Sequence, residues 1–294
     1  MRQPFLVYDA HRSFAAASTM YVPETTGLAT EERLPEPRSF KTADILALAF
    51  AAGILVVFEL LHHAEFPPMG RRFLTALAIT AGFAVLAWFA GGVNFSGALA
   101  GSAVAFIMAV RDLRMFLALL IVFAVTLAAT RVGYARKQQL RTAQAGGRTA
   151  AQAMANLGIA ALVVAIAPAG WPVLALAALA EAAADTSSSE IGMAFPGKTF
   201  LITTFKPVPP GIDGGMSLLG TLAAWAGAAT VAAAAVLSEL VPAGQAVVIL
   251  GAGFFGTVVD SLLGAVFERR GWLGNDLVNL LSTASAVGAA WVMI

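Results

Sequence analysis

Nine apolar runs, each about as long as a membrane crossing requires, follow one another along the chain from residue 44 onward. In an α-helix, about 20 apolar residues cross the hydrocarbon core of a bilayer. The third and sixth runs are short and rich in Gly or Ala, so they are candidates for broken or partly re-entrant helices. The pattern predicts an all-α polytopic membrane protein with about nine transmembrane helices, at residues 44–63, 72–90, 95–110, 113–130, 150–167, 171–187, 216–238, 244–267 and 276–294.

The composition leads to the same class of protein. Hydrophobic residues make up 59% of the 294 residues and charged residues 12%, against about 25% charged residues in a soluble domain. The net charge of +1 provides no basic surface for nucleic acid, and the absence of cysteine excludes disulfides, thiolate catalysis and Cys-based metal sites. We expect a polar, mobile cytoplasmic tail at residues 1–43 and a single transmembrane domain at residues 44–294.

Lysine and arginine are distributed unequally between the two sides of the predicted membrane domain. With nine crossings, the N-terminal tail falls on the same side as the loops at 131–149, 188–215 and 268–275, and 14 of the 18 Lys and Arg residues lie there. Cytoplasmic loops carry an excess of these residues. We therefore predict an integral membrane protein with a cytoplasmic N-terminus and a site that faces the cytoplasm, in the cytoplasmic membrane if the source is bacterial.

Carboxylates appear inside the sixth and eighth apolar runs, where ionised groups are costly and usually functional. Glu181, Asp185 and Ser189 are spaced four residues apart and share one helix face, and Asp260 lies inside the eighth run. Mg²⁺ usually takes one or two carboxylates together with substrate phosphates and water, so two helices that present one carboxylate each would suit it. The structural alternative is a buried Asp that caps or cross-links helices through neighbouring Ser and Thr residues.

The segment PVPPGIDGGMS at 207–217 combines stiffness with sharp turns. Its prolines fix φ, while Gly214 and Gly215 permit turns with positive φ and let a ligand approach the backbone. Ser217 or Asp213 is placed to cap the seventh long helix, whose unpaired N–H groups would form an anion site. The pattern favours phosphate contact over the alternative, a tight turn with a Ser cap.

One motif match does not carry the function that it suggests. The octapeptide GMAFPGKT at 192–199 satisfies the P-loop pattern, but a P-loop requires a strand before it and a helix after it. Here an Ala-rich helical run precedes and an extended, Pro-containing segment follows. Lys206, beside the Pro-Gly segment, is the better candidate for contact with an anionic ligand.

Further cations and amides are candidate ligand contacts. Arg131 and Lys137 lie nearest the membrane in the loop after the fourth run, where they would either hold a phosphorylated ligand or anchor the loop to anionic lipid. Gln152 and Asn156 share one helix face, which is typical both of helix-to-helix hydrogen bonds and of a stripe that faces a ligand. Asn279, near the start of the last run, would complete the rim of the site.

The order of these residues resembles that of a known family. The chain is similar, over roughly residues 45–294, to the integral-membrane family that contains plant phytyl-phosphate kinase and human transmembrane protein 19, long catalogued as a domain of unknown function. The ordered set is specific, although each piece alone would be weak. The pieces are Arg131-x-Gly133 with Lys137, Gly147-Arg148-x₃-Gln152-x₃-Asn156, Asp185-Thr186-x₂-Ser189-Glu190-x-Gly192, Leu201-Ile202-Thr203-Thr204, PVPPGIDGG-x-SLLGT at 207–221, Asp260-Ser261-Leu262-Leu263-Gly264 and Asn279.

The resemblance implies a CTP-dependent kinase that phosphorylates an isoprenyl monophosphate, such as phytyl phosphate, to the diphosphate, with Mg²⁺ as cofactor. An acceptor that is already an ionised phosphate needs no strong general base, so transfer depends on positioning and charge stabilisation. The candidate residues match this need because they include no His or Cys. The expected partners are a prenyl monophosphate, a nucleoside triphosphate and membrane lipid, and a homo-oligomer is left open.

We assign roles to the candidate residues within this hypothesis. The predicted Mg²⁺ ligands are Asp185, Glu190 and Asp260. The predicted cations are Lys206, which joins the two Asp residues as a catalytic group, with Lys137 and Arg131. The other predicted contacts to substrate or nucleotide are Gln152, Asn156, Ser189, Gly214, Gly215, Ser217 and Asn279.

Two other classes of function fit parts of the pattern. A secondary transporter also uses broken helices and buried carboxylates that face an anionic substrate. A structural membrane protein would use the same polar residues only to join helices. The predicted clustering of polar groups at one membrane face favours the enzyme, while the length of the prenyl chain is not determined by the sequence.

Overall fold

Ten α-helices account for most of the chain that this computed structural model describes, residues 41–62, 70–140, 142–143, 146–195 and 197–294. Nine of them coincide with the nine predicted runs to within a few residues, except that α7 continues further than expected, and α5 is a short helix inside a predicted loop. The tail predicted at 1–43 lies outside the described residues apart from its last three, so the two-part division stays a prediction. The helices are α1 Thr42–His62, α2 Arg71–Phe89, α3 Phe95–Arg111, α4 Leu113–Arg131, α5 Tyr134–Gln139, α6 Ala150–Ile166, α7 Trp171–Ala194, α8 Leu218–Leu237, α9 Ala246–Val266 and α10 Asn275–Met293.

Within the described residues, six segments are long and apolar enough to cross a membrane: α1, α2, α4, α8, α10 and the stretch Ala243–Arg270 that contains α9. The apolar helices α3 and α6 have 17 residues each. This agrees with the predicted class, a helical polytopic membrane protein. The count of nine crossings and the cytoplasmic position of the N-terminus stay predictions.

The long helices alternate in direction between two ends of the bundle. The start of α1 lies beside the start of α6, where Asp44 Oδ1 accepts a hydrogen bond from Ala151 N at 3.2 Å. The start of α4 lies beside the end of α8, where Arg114 Nη1 donates to Glu239 O at 2.8 Å. We call the end that holds the starts of α1, α3, α6, α8 and α10 the site end, and the opposite end the far end.

Helix α7 occupies the centre of the bundle, in contact with α4, α6, α8, α9 and α10. Every residue from Leu174 to Ala184 is buried. The sequence suggested that this run and the run of α3 are broken or partly re-entrant. A break is wrong for both, since α7 is one helix of 24 residues and α3 one of 17, and re-entrance stays a prediction. The many Ala residues of α7 have high helix propensity. The neighbouring helices bury several of the polar residues in its last turns, and those polar residues made the apolar run look shorter than the helix.

Glycines on α8 and α9 let these helices approach α7 closely. A Cβ at Gly253 would lie 2.8 Å from Ala180 Cβ, and one at Gly256 would lie 2.5 Å from Glu181 Cγ. Small residues at such contacts allow dense packing between helices in a membrane, where lipid removes the hydrophobic driving force. The nearest atom to a Cβ at Gly251 is 3.8 Å away, so Gly251 is not part of this contact.

The segment between α7 and α8 forms a three-stranded antiparallel sheet at the site end. Its strands are β1 Thr199–Leu201, β2 Pro207–Val208 and β3 Gly215–Ser217, in the order β2-β1-β3. Phe200 is opposite Pro207 in β2 and Met216 in β3. A helix therefore precedes the GKT sequence and a strand follows it, the reverse of a P-loop, which confirms the rejection of that motif.

We predict that Gly256→Ala lowers the free energy of unfolding by about 1–3 kcal/mol, the usual cost of overpacking, because the added methyl group would collide with the Glu181 side chain. Gly251→Ala is the matched control on the same helix, and a better helix former at an open position should leave stability unchanged or raise it by up to about 1 kcal/mol. Thermal unfolding of both variants in detergent measures the difference. Equal stabilities would show that α7 and α9 do not depend on this contact.

Candidate active site

A polar cavity of about 290 Å³ opens at the site end between α6, α7, α9, α10 and the loops of the small sheet. It collects side chains that are far apart in the sequence, because four helices present their polar ends to it. Ten of the residues predicted from the sequence line this cavity: Gln152, Asn156, Asp185, Ser189, Glu190, Gly214, Gly215, Ser217, Asp260 and Asn279.

Asp185 on α7 and Asp260 on α9 both line this cavity, close enough for their carboxyl charges to influence each other. Each lies one helical turn beyond the Glu181–Gly256 contact, so the close packing of the two helices sets their proximity. Among the described residues, Asp260 Oδ2 is buried and has no hydrogen-bond partner. Two carboxylates in such a position repel each other unless a proton or a cation lies between them.

The cavity is rich in acids for its size. Asp213 and Glu268 also line it, and Arg148 is the only Lys or Arg among the described residues that do so. No cluster of three or more His, Cys, Asp or Glu side chains suited to a metal is found in the described part of the chain. The Asp pair with its unpartnered oxygen fits Mg²⁺, whose remaining ligands are usually phosphate oxygens and water. A polyphosphate would need such cations here to offset the carboxylates.

Lys137 and Glu190 form a buried ion pair, which changes the role expected of each. Lys137 is fully buried, and its Nζ donates to Glu190 Oε2 at 2.6 Å, to Thr130 O at 2.6 Å and to Ala129 O at 3.1 Å. An ammonium group has three donors, and all three are used here. The structure therefore leaves Lys137 no donor for the predicted contact with a phosphate. Glu190 lines the cavity, but its carboxylate is held by Lys137 and is not gathered with Asp185 and Asp260 into one group.

Arg148 lines the cavity, where Lys206, Lys137 and Arg131 were the predicted cations. Its backbone is fixed by the turn between α2 and α3, since Arg148 N donates to Gly92 O at 3.0 Å and Asn94 N donates to Arg148 O at 3.0 Å. Its Nη2 donates to Thr186 Oγ1 at 3.3 Å. Burial lowers the pKa of the guanidinium and the charges of Glu190 and Asp185 offset part of this effect, but an Arg side chain stays protonated. Its place in the ordered motif Gly147-Arg148-x₃-Gln152-x₃-Asn156 was the signal in the sequence.

The structure does not bring the other two predicted cations into the cavity. Arg131 lines a neighbouring cavity, and its Nη2 donates to Ala90 O at 2.6 Å. Lys206 is exposed beside β2, and its carbonyl oxygen accepts a hydrogen bond from Leu201 N at 2.9 Å. The physical reason is that both lie at the outer edge of the site end, while the cavity forms between the helices.

The glycine segment closes one side of the cavity. Gly214 has φ +74°, and a Cβ there would overlap Ala265 and lie 2.7 Å from Ser261 O, so only Gly lets this turn lie against α9. The N–H of Gly215 donates to Ile212 O at 2.8 Å. Ser217 caps α8 as predicted, since its Oγ accepts a hydrogen bond from Gly220 N at 3.1 Å. The segment is therefore held in place by its own hydrogen bonds, and phosphate contact by it stays a prediction.

The amide side chains have local partners as well as positions on the cavity. Gln152 forms a capping box with Thr149 at the start of α6, and Asn156 Nδ2 donates to Gln152 O at 2.9 Å. Ser189 Oγ donates to Asp185 O at 3.1 Å. The bonds of Gln152 and Asn156 described here lie within α6 and its N-cap, while both side chains line the cavity, so a stripe that faces a ligand stays a prediction.

We predict that Lys137→Met lowers the free energy of unfolding by about 3–5 kcal/mol, because removing one partner leaves the Glu190 charge buried and unpaired. The double variant Lys137→Met with Glu190→Gln should recover most of this loss. Chemical or thermal unfolding in detergent measures both variants. Equal losses in the single and the double variant would contradict a stabilising ion pair.

Comparison with known proteins places the chain in a family. The family described as "Integral membrane protein DUF92" matches residues 78–287. Similar proteins include an uncharacterized membrane protein of Synechocystis, 33% identical over 58% of this chain and 70% of its own length. Two proteins of Arabidopsis thaliana are also similar: Protein PGR, 31% identical over 68% of this chain and 81% of its own length, and Protein VTE6, chloroplastic, 41% identical over 33% of this chain and 30% of its own length.

No solved structure matches the fold of this chain. The match to the family covers most of the helical bundle, including α7 and α9, which carry Asp185 and Asp260. It agrees with the resemblance seen in the order of the sequence motifs. The chain therefore belongs to the DUF92 family of integral membrane proteins.

Proposed function

We propose that the protein is a Mg²⁺-dependent kinase that transfers the γ-phosphoryl group of a nucleoside triphosphate to an isoprenyl monophosphate. The observation that carries this proposal is the cavity at the site end, where the Asp185 and Asp260 carboxyl groups and the Arg148 guanidinium line one polar space in an otherwise apolar bundle. CTP as the donor and a phytyl-like acceptor come from the family resemblance.

The two Asp residues would hold the metal in this proposal. Asp260 Oδ2 is an unpartnered buried oxygen, and carboxylate oxygens are the ligands that Mg²⁺ takes from proteins. When bound, the ion would neutralise negative charge on the phosphate oxygens. Glu190 is less suited to be a direct ligand because Lys137 already balances its charge.

Residues at the start of α6 are suited to the acceptor phosphate. Arg148, two residues before α6, and Gln152 and Asn156 on α6 line the cavity, and a guanidinium binds phosphate through two parallel hydrogen bonds. In the reaction, an oxygen of the acceptor phosphate forms a bond to the γ-phosphorus while the bond from that phosphorus to the β-phosphate oxygen breaks. The products are a prenyl diphosphate and a nucleoside diphosphate, and no proton has to be removed from the acceptor at neutral pH.

A secondary transporter is the alternative that the experiments must separate from this proposal. Alternating access requires that a site open in turn to each side of the membrane. The residues that line the polar cavity lie at the site end of the helices, which supports an enzyme that works at one face.

We expect Asp185→Asn and Asp260→Asn each to lower kcat by roughly 100-fold or more, because bound metal supplies several kcal/mol of charge stabilisation. The assay follows Mg²⁺-dependent transfer of the labelled γ-phosphate of CTP to phytyl, geranylgeranyl and farnesyl monophosphates by purified protein in detergent. Asp112→Asn is the matched control, since it makes the same change at the N-cap of α4 and Asn also caps helices well.

Near-normal turnover by folded Asp185→Asn would refute the metal role. Movement of prenyl phosphate across vesicle membranes by wild-type protein, with no phosphoryl transfer from any of CTP, ATP, GTP or UTP, would instead favour the transporter.

We expect Arg148→Lys to lower kcat/KM for the acceptor about 10- to 100-fold, because it keeps the charge but loses hydrogen bonds to phosphate worth about 1.5–3 kcal/mol. Lys206→Ala, outside the cavity, is the comparison and should stay within about threefold of wild type, as for a solvent-exposed charge worth less than about 1 kcal/mol. The same assay with varied acceptor concentration measures both. A larger loss for Lys206→Ala than for Arg148→Lys would restore Lys206 as the catalytic cation.

A further inference from the structure

We infer that a groove between α2, α3, α4 and α6 binds the isoprenoid chain of the acceptor and limits its length. This inference rests on the proposed function and deepens it, because it assigns the apolar half of the substrate to a defined set of side chains. The groove is separate from the polar cavity described above and is formed mainly by other helices.

The groove is narrow and almost entirely apolar. It has a free volume of about 70 Å³, and its walls are formed by Ala84 and Ala87 of α2, Gly97 and Gly101 of α3, and Leu119 and Val122 of α4. The α4 residues that line it extend from Leu119 to Thr126, which corresponds to about 10 Å along a helix at 1.5 Å per residue. The small residues on α2 and α3 leave room for a thin branched hydrocarbon chain.

The groove leads to the same polar groups that are suited to the acceptor phosphate. Arg148, Gln152 and Asn156 line both the groove and the polar cavity. A ligand in both spaces would therefore have a long apolar part in the groove and an anionic end beside Arg148. A prenyl monophosphate has this arrangement, and a nucleotide does not, so the occupant is the acceptor and not the donor.

The aromatic rings of Phe83 and Phe123 line the groove. The ring of Phe83 makes edge contacts with Phe116 and Phe123, at centroid distances of 5.7 Å and 5.2 Å. Because α2 ends and α3 begins at the site end, Phe83 lies deeper in the bundle than Ala87. Phe83 and Gly101 each lie six residues from the site end of their helices, so a chain that enters from the cavity would meet both at a similar depth.

Gly101 is the position at which the groove can be filled with least disturbance. A Cβ at Gly101 would have no atom within 4 Å, so a larger side chain would enter the free space of the groove without a backbone collision. Gly82 on α2 provides the matched control. It also has no atom within 4 Å of an added Cβ, is exposed on the outside of the bundle, and does not line the groove.

The first experiment compares Gly101→Leu with Gly82→Leu in the phosphoryl-transfer assay. Gly101→Leu should lower kcat/KM for geranylgeranyl and phytyl monophosphates roughly 10-fold or more, the discrimination that an apolar pocket achieves, while dimethylallyl monophosphate keeps its wild-type value. Gly82→Leu should match wild type with every acceptor. Equal losses with short and long acceptors, or no loss in Gly101→Leu, would overturn the inference and leave the kinase proposal intact.

The second experiment measures binding without catalysis. The natural chain has no cysteine, so Gly101→Cys and Gly82→Cys each carry a single thiol that a methanethiosulfonate reagent labels. Geranylgeranyl monophosphate at about ten times its Kd should slow labelling of Gly101→Cys roughly tenfold, by the factor 1 + [L]/Kd, and should not slow labelling of Gly82→Cys. Inorganic phosphate should protect neither thiol.

The two experiments separate failure of the inference from failure of the proposed function. Protection of Gly101→Cys without phosphoryl transfer by the wild type would support the groove and refute the kinase. Transfer by the wild type without protection would refute the groove alone. Neither transfer nor protection would refute both.

Discussion

Close packing around α7 is the constraint on which the rest of the structure depends. Lipid is as apolar as a Leu side chain, so helices in a membrane associate through dense van der Waals contact and not through the hydrophobic effect. On α7, Ala180 meets Gly253 of α9 and Glu181 meets Gly256 of α9, with no space for a further methyl group at either glycine. This contact brings the backbones together and makes Asp185 and Asp260 neighbours one turn further on.

Because the same dense packing buries the charged side chains of the site, each charge is costly unless a partner balances it. Glu190 is neutralised within the protein by Lys137, whose remaining donors satisfy carbonyl groups at the end of α4. In the described residues, Asp185 and Asp260 form no ion pair as short as that of Glu190, although Arg148 lines the same cavity, and Asp260 Oδ2 has no partner. A buried charge that the protein does not pair is expected to pair with a ligand or a metal ion. The fold thus separates a structural acid from two acids available for chemistry.

The arrangement of polar and apolar spaces matches an amphiphilic substrate at a membrane surface. Polar residues of α6, α7, α9 and α10 converge at one end of the bundle, while the apolar groove between α2, α3, α4 and α6 begins at the same Arg148. Phosphoryl transfer needs little from the protein beyond positioning and charge stabilisation. A bundle with rigid helices and one polar end is sufficient for that chemistry, and it needs no catalytic His or Cys.

The sequence alone was sufficient to predict the helices, the family and most of the candidate residues that line the cavity. Apolar runs of the length of a bilayer predicted nine helices, because hydrocarbon permits only backbones that satisfy their own hydrogen bonds, and the order of motifs identified the family. Two pairs of the predicted residues, Gln152 with Asn156 and Asp185 with Ser189, line the cavity because i, i+4 spacing places side chains on one helix face whatever the fold.

Only the tertiary structure decided which cation serves the cavity. Lys137, Arg131 and Arg148 all lie near the ends of neighbouring helices, and their sequence contexts are similarly basic. Contacts with residues distant in the sequence distinguish these three cations. Lys137 forms an ion pair with Glu190, and Arg131 donates a hydrogen bond to Ala90 O. The backbone of Arg148 is held beside the cavity by the turn at Gly92 and Asn94. Such long-range contacts are absent from local periodicity, which is the physical reason that a pattern of residues can predict helices and faces but not the partner of each charge.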